Sequence, residues 1–199
     1  MKIDRLFTEN AALFGEKPSP LIIGLMRYLP PDALVLDVGA GQGRNTLALA
    51  QAGFRVEAVD PSSAGLRQLA EQAERLGLSG IETRSGSVLD LPFDRVYNGV
   101  CLINVLHYLP PEQVRDVIMN CQRATAVGGV HVLSVLTKGT DTALLRPDSL
   151  TPDLPEVEAW YAGWEMIDSR VVPGESARKD SQGKPYQTQA VRVVARKRV

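Results

Sequence analysis

Apolar residues along this chain alternate between a helical spacing of three to four and short continuous runs, and the switches between the two mark out an α/β unit. Residues 3 to 14 and 19 to 29 carry helical spacing, with Leu6, Ala11, Leu13 and Phe14 in the first and Leu21, Ile22, Leu25, Met26 and Leu29 in the second. Pro18 and Pro20 open that second helix, and Pro30 and Pro31 stop it. Leu34 to Val38 is then a nearly continuous apolar run, the mark of a strand buried on both faces of a parallel sheet. Two helices ahead of a first strand stand outside a βα alternation. They are expected either to cover a ligand cleft or to close one edge of the domain.

Beyond that strand the alternation is regular. Helical spacing resumes at Leu47, Leu49 and Ala50. A second strand spans Phe54 to Asp60, and Leu66, Leu69, Ala70, Ala73 and Leu76 form a helix ending at Gly77. Ile81 to Arg84 is a brief third strand and Tyr97 to Ile103 a central fourth. Pro110-Pro111-Glu112 opens a helix whose inner face is Val114, Val117, Ile118 and Cys121, and Val127 to Val135 is a glycine turn entering a fifth strand. Periodicity is lost from 137 to 156, where Pro147, Pro152 and Pro155 mark a long irregular loop. A short helix at Glu158 to Trp164 precedes two strands, Glu165 to Val172 and Tyr186 to Arg196, which are expected to pair antiparallel around Gly174 to Lys184. The prediction is a mostly parallel seven-stranded sheet between helical layers with an antiparallel C-terminal hairpin, in one domain over 1–199. Within it, 1–30 is the helical cover, 34–136 the ligand-binding core and 137–199 the acceptor side.

The chemistry concentrates at Leu34 to Asn45, where the first strand breaks into Gly39, Gly41 and Gly43 before a helix begins. Glycines let a backbone approach a ligand closely, and the helix N-terminus beyond them offers free N–H groups and a positive dipole end. A nucleotide-like ligand is expected here. The dinucleotide fingerprint would need a third glycine at position 44, which is Arg44, and the triphosphate loop G-x-x-x-x-G-K-[ST] is absent. An acid at the strand end, Asp37, followed by G-x-G-x-G remains. Asp60 ends the second strand about 20 residues beyond the glycine turn, where α/β nucleotide folds hold ribose hydroxyls. The alternative for Asp60 is a helix cap before Pro61-Ser62.

Composition narrows the partners. The chain has 199 residues and a formal charge of −1, so no global electrostatic case exists for nucleic acid or an anionic membrane. Seven basic residues stand against Asp180 alone between 178 and 199, but no aromatic stacking platform is interleaved beyond Tyr186. Cys101 and Cys121 fall in core elements and read as packed, reduced thiols, the pattern of a cytoplasmic protein. No apolar run reaches transmembrane length. A monomer or a homodimer is expected, and no metal set is apparent.

The Asp37, Gly39, Gly41, Gly43 and Asp60 pattern resembles the class I S-adenosylmethionine-dependent methyltransferases. The resemblance implies a three-layer Rossmann-like fold, with Asp37 near the methionyl ammonium group, the glycines under the ligand and Asp60 on the ribose. The acid that usually meets the adenine amino group aligns here with Ser87, a departure that assigns the adenine to Ser87 and the backbone at Val88. Ala40, Arg44, Asn45, Pro61 and Asn104 complete the expected cofactor set, and no Asn/Asp-Pro-Pro-aromatic signature of base-modifying enzymes follows the fourth strand. Gly43-Arg44-Asn45-Thr46, the stretch Trp160 to Glu165, Gly174-Glu175 and Ala195-Arg196-Lys197 resemble the bacterial tellurite-resistance methyltransferases in particular. In that family a His-Arg pair and a further Arg line an oxyanion site. Here Ala177 stands for the His, Arg178 matches the Arg, and Lys184-Pro185 replaces the second Arg region.

Methyl transfer from a sulfonium is in-line displacement and asks mainly for positioning in a dry cleft. His107 and Tyr108, just after the fourth strand, are the candidate bases for an acceptor that loses a proton. Arg178 is the candidate for orienting an anionic one. The expected function is transfer of a methyl group from S-adenosylmethionine, leaving S-adenosylhomocysteine, to a small molecule such as a chalcogen oxyanion or another anion. The rival is a cofactor-binding sensor or regulatory subunit without turnover.

Overall fold

The computed structural model describes residues 2–10, 12, 13, 15, 17–139, 141 and 147–198, the side chains of 2, 3, 177 and 178 excepted. Its strands are β1 (Leu34–Val38), β2 (Arg55–Asp60), β3 (Ile81–Ser85), β4 (Tyr97–Ile103), β5 (Thr125–Thr137), β6 (Glu165–Lys179) and β7 (Pro185–Arg196). They form one sheet in the order β3-β2-β1-β4-β5-β7-β6. The first five are parallel, and β7 runs antiparallel to both β5 and β6. The helices are α1 (Lys2–Glu9), α2 (Pro20–Leu25), α3 (Arg44–Gln51), α4 (Ser63–Arg75), α5 (Val114–Arg123) and α6 (Leu154–Trp160). Among the described residues, no helix is long and apolar enough to cross a membrane.

The near-continuous apolar strands are explained by burial on both faces. On one face Leu21, Ile22 and Leu25 of α2 and Leu49 of α3 pack on Val35, Val56, Cys101 and Val132, and beside them α4 sets Leu66 and Leu69 near Ala58. On the other, Val114, Val117 and Ile118 of α5 and Val157 of α6 pack on Leu36, Val100, Leu102, Leu133 and Val193. Each such side chain contributes about 1.5–3 kcal/mol on leaving water. One charge lies inside this layer. Glu57 of β2 is fully buried and accepts hydrogen bonds from Tyr97 Oη at 2.9 Å, Arg84 Nε at 2.8 Å and Arg95 Nη1 at 3.2 Å.

Three boundaries differ from expectation. The first helix ends at Glu9 rather than 14, and Ala11 and Phe14 lie outside the described residues. The helix expected at 158–164 begins at Leu154, because Asp153 caps it by accepting from the Glu156 amide at 2.9 Å and Pro155 suits its first turn. Within the stretch expected to be irregular, residues 140 and 142–146 lie outside the described residues. The hairpin is longer: Gly174 and Glu175 pair with Thr188 and Gln187, and the turn shrinks to Asp180–Lys184, where Asp180 Oδ1 accepts from the amides of Gln182 and Lys184. The two leading helices also part company. α2 belongs to the layer on the sheet face, whereas α1 lies on α4 and the glycine turn.

Candidate active site

Strand order reverses between β1 and β4, and in open parallel sheets a ligand crevice forms outside the carboxyl ends at such a reversal. The chain leaves β1 into that crevice through Gly39, Gly41 and Gly43, at φ of 75°, 56° and 85°. All three are left-handed, a conformation costly for residues with a Cβ. The space they free is filled largely by the protein itself. A Cβ on Gly39 would stand 2.7 Å from Val105, on Gly41 3.2 Å from Phe7, and on Gly43 2.3 Å from Leu69. The glycines thus let α1, α4 and the segment after β4 close around the turn, which the expectation of ligand approach alone had not included. The amides of Gly39 and Ala40 donate to the Val59 carbonyl at 2.8 and 3.1 Å, tying the turn to β2.

Two buried carboxylates flank it. Asp37, 2% exposed, accepts from Thr46 Oγ1 at 2.6 Å. Burial pushes its carboxyl up to about 6 and the nearby Asp60 charge adds to this, while Thr46 and the half-buried Arg44 guanidinium pull the other way. Asp60, 7% exposed, accepts from the Gly41 amide through Oδ2 and from the Ser62 amide through Oδ1, both at 2.8 Å. Burial raises its carboxyl as well, against those two hydrogen bonds. Helix capping falls to Ser62, whose Oγ accepts from the Gly65 amide, and exposed Pro61 sits between. Asn45 is buried and its Oδ1 accepts from the Ser19 amide at 3.0 Å, so it anchors the start of α2 to the turn.

At the opposite wall, Asn104 follows β4 with φ 56° and joins Ser134 twice, its amide donating to the Ser134 carbonyl at 2.8 Å and its Oδ1 accepting from Ser134 Oγ at 2.9 Å. Val105 meets Gly39, so this segment abuts the turn. His107, 7% exposed, has its ring 4.5 Å from that of exposed Tyr108, and its carbonyl accepts from Ser149 Oγ at 3.0 Å. Ser87 caps a short 3-10 turn by accepting from the Leu89 amide, with Val88 buried behind it, and Asp90 points to solvent as a loop residue.

Some expected members lie elsewhere. Trp160, Tyr161 and Trp164, on the stretch expected to form the acceptor side, pack in the α5 and α6 layer. There Tyr161 Oη meets His131 Nδ1 at 3.2 Å and Trp164 lies 4.6 Å from the same ring. Burial drives His131 down to about 3, a neutral structural histidine. The side chains of Ala177 and Arg178 lie outside the described residues. Conversely, sequence pattern did not reveal Asp4, whose Oδ1 accepts from Ser62 Oγ at 2.6 Å and brings α1 to the wall beside Asp60, or Thr46 and Ser134. Thr46, one helical turn into α3, carried a signal in its placement on the inner side beside Asn45. Asp4 carried none.

The donor set fits an adenosyl amino acid. A buried carboxylate held near neutrality suits an ammonium group, and a second whose oxygens each keep acceptor capacity suits a diol. Sheet order, glycine turn and paired acids are those of a class I S-adenosylmethionine-dependent methyltransferase. More narrowly, the chain belongs to the family described as tellurite resistance protein TehB, whose model matches residues 23–193. It is 30% identical over 165 residues to Hemagglutinin 1 of Eikenella corrodens, covering 81% of this chain and 54% of that one. It is 29% identical over 164 residues to the probable S-adenosyl-L-methionine-dependent methyltransferase TehB of Haemophilus influenzae, covering 82% and 57%. The crystal structure of TehB from Haemophilus influenzae superposes with a TM-score of 0.81 at 26% identity, over 89% of this chain and 61% of that one. The chain therefore spans little more than half the length of these relatives.

Proposed function

We propose that this protein transfers the methyl group of S-adenosylmethionine to a small anionic acceptor, a chalcogen oxyanion or a related compound. The observation that carries this is the pair of buried carboxylates, Asp37 and Asp60, on either side of a left-handed glycine turn at the strand-order reversal. Bound there, the cofactor supplies an electrophilic methyl group whose C–S bond breaks as an acceptor lone pair forms the new bond, leaving a thioether. Asp37 would hold the ammonium group and Asp60 the ribose hydroxyls. Ser87 and the Val88 backbone would meet the adenine, with Ala40, Arg44, Asn45, Pro61 and Asn104 shaping the walls. His107 and Tyr108 would take a proton from an acceptor that carries one, and Arg178 would orient an acceptor already anionic. Buried free thiols at Cys101 and Cys121 agree with a reducing, cytoplasmic setting. We place the protein there as a monomer or homodimer acting on neither nucleic acid nor membrane.

Transfer of labelled methyl groups to tellurite, selenite and small carboxylates or thiols is the test. Label in an anionic acceptor is the expected result. Tight binding of S-adenosylhomocysteine without transfer to any acceptor would instead make the protein a cofactor sensor.

A further inference from the structure

One guanidinium in the hairpin has no partner. Arg192 of β7 is half-buried, its Nε is shut off from solvent, and among the described residues no hydrogen bond or ion pair reaches its side chain. A buried N–H left without an acceptor is costly, so native chains retain such groups where something else completes them.

Its neighbours indicate what that is. Arg192 pairs with Ser134 of β5 on one side and Arg170 of β6 on the other, so all three side chains leave the same face of the sheet. Arginines directly opposite each other repel. Arg170 is matched by Asp168 at 3.2 Å, whereas among the described residues no ion pair reaches Arg192. Ser134 is level with Ile103, the last residue of β4, which places the group at the carboxyl edge beside the crevice. The Ser134 hydroxyl also occupies Asn104 Oδ1, so the Asn104 carboxamide keeps its NH2 as a spare donor. A left-handed Asn held by two hydrogen bonds to Ser134 and an Arg192 Nε with no partner among the described residues present donors, while the carboxylate on that face, Asp168, is taken up by Arg170.

We propose that Arg192, with Asn104 oriented by Ser134, forms the anion subsite of the acceptor pocket and takes a small oxyanion or carboxylate at the end of β4. The inference rests on the anionic-acceptor reading above and gives it a residue independent of Arg178. The planar guanidinium matches two oxygens of one anion, which a lysine meets only as a point charge.

Thermal unfolding of the protein saturated with S-adenosylhomocysteine, in selenite, in acetate and in chloride at equal ionic strength, tests it. Selenite or acetate should raise the Tm of the wild type above its value in chloride, with the two arms separating an oxyanion from a carboxylate subsite. Arg192→Met should abolish that rise and Arg192→Lys restore part of it, while S-adenosylhomocysteine stabilises all three equally. Without any anion, Arg192→Met should melt at or above the wild type, because an unpaired charge has been removed. A wild type indifferent to both anions, a Met variant that keeps the response, or one that melts well below the wild type without anion overturns the subsite. Label transfer to an anionic acceptor would still be measurable in each case, so the broader reading stands or falls separately.

Discussion

The Gly41 amide donates a 2.8 Å hydrogen bond to Asp60 Oδ2, so the carboxylate assigned to the ribose also holds the glycine turn in shape. Asp60→Ala would leave the Gly41 and Ser62 amides without their acceptor as well as removing a ligand contact. Cofactor affinity should fall by about 1–3 kcal/mol, and the ligand-free protein should also lose Tm. Calorimetric titration with S-adenosylhomocysteine, paired with thermal unfolding, separates the two losses. Unchanged affinity would make Asp60 purely a support for the turn.

Asp37 predicts a pH dependence. Its carboxyl lies near 6 in the ligand-free protein, pushed up mainly by burial. A bound ammonium favours the ionised form and lowers that value, so binding releases a proton below about pH 6. Affinity for S-adenosylhomocysteine should therefore weaken as pH falls through 6, approaching tenfold per pH unit. Asp37→Asn should bind more weakly at neutral pH and lose the slope. A flat profile in the wild type from about pH 7 to about pH 5 contradicts the assignment.

Gly43→Ala would set a Cβ 2.3 Å from Leu69 Cδ1 at a φ of 85°, combining a clash with backbone strain. A loss of about 2 kcal/mol or more in denaturant unfolding is expected. In a double-mutant cycle, Gly43→Ala should cost less in a Leu69→Ala background than in the wild type, by the steric part only. Full stability in the single variant would mean that the turn tolerates a different path.

His107 and Arg178 should act on turnover and not on cofactor binding. His107→Ala should lower kcat and remove the base-dependent limb of the pH profile if the acceptor loses a proton. Arg178→Ala should appear mainly in KM if the acceptor is an anion. Equal steady-state parameters in wild type and both variants, once an acceptor is known, would move the acceptor site away from these residues.

The glycine pattern, the two acids at strand ends and the alternation of apolar runs were enough to specify a mostly parallel sheet with a C-terminal hairpin and to point to a candidate site at its switch point. These are local signals, since strand burial, left-handed turns and strand-end acids each follow from a few neighbouring residues. What needed the third dimension was every pairing between distant segments. Glu57 reads as one polar position in a strand, but folding surrounds it with Arg84, Arg95 and Tyr97 and makes it a buried counter-ion. Trp160, Tyr161 and Trp164 fall on the stretch expected at the acceptor side, but folding packs Tyr161 and Trp164 on His131 and Trp160 into the same core layer. Asp4, 58 residues from Ser62, has no periodic signature, and only the docking of α1 brings it to the wall beside Asp60. Arg192 looked like one of several basic residues in a tail until strand register set it across from Ser134 and Arg170, where among the described residues no side chain bonds its Nε. Hydrogen bonds and charge compensation depend on separations of a few ångströms between residues far apart in the chain, and the order of residues alone does not set those separations.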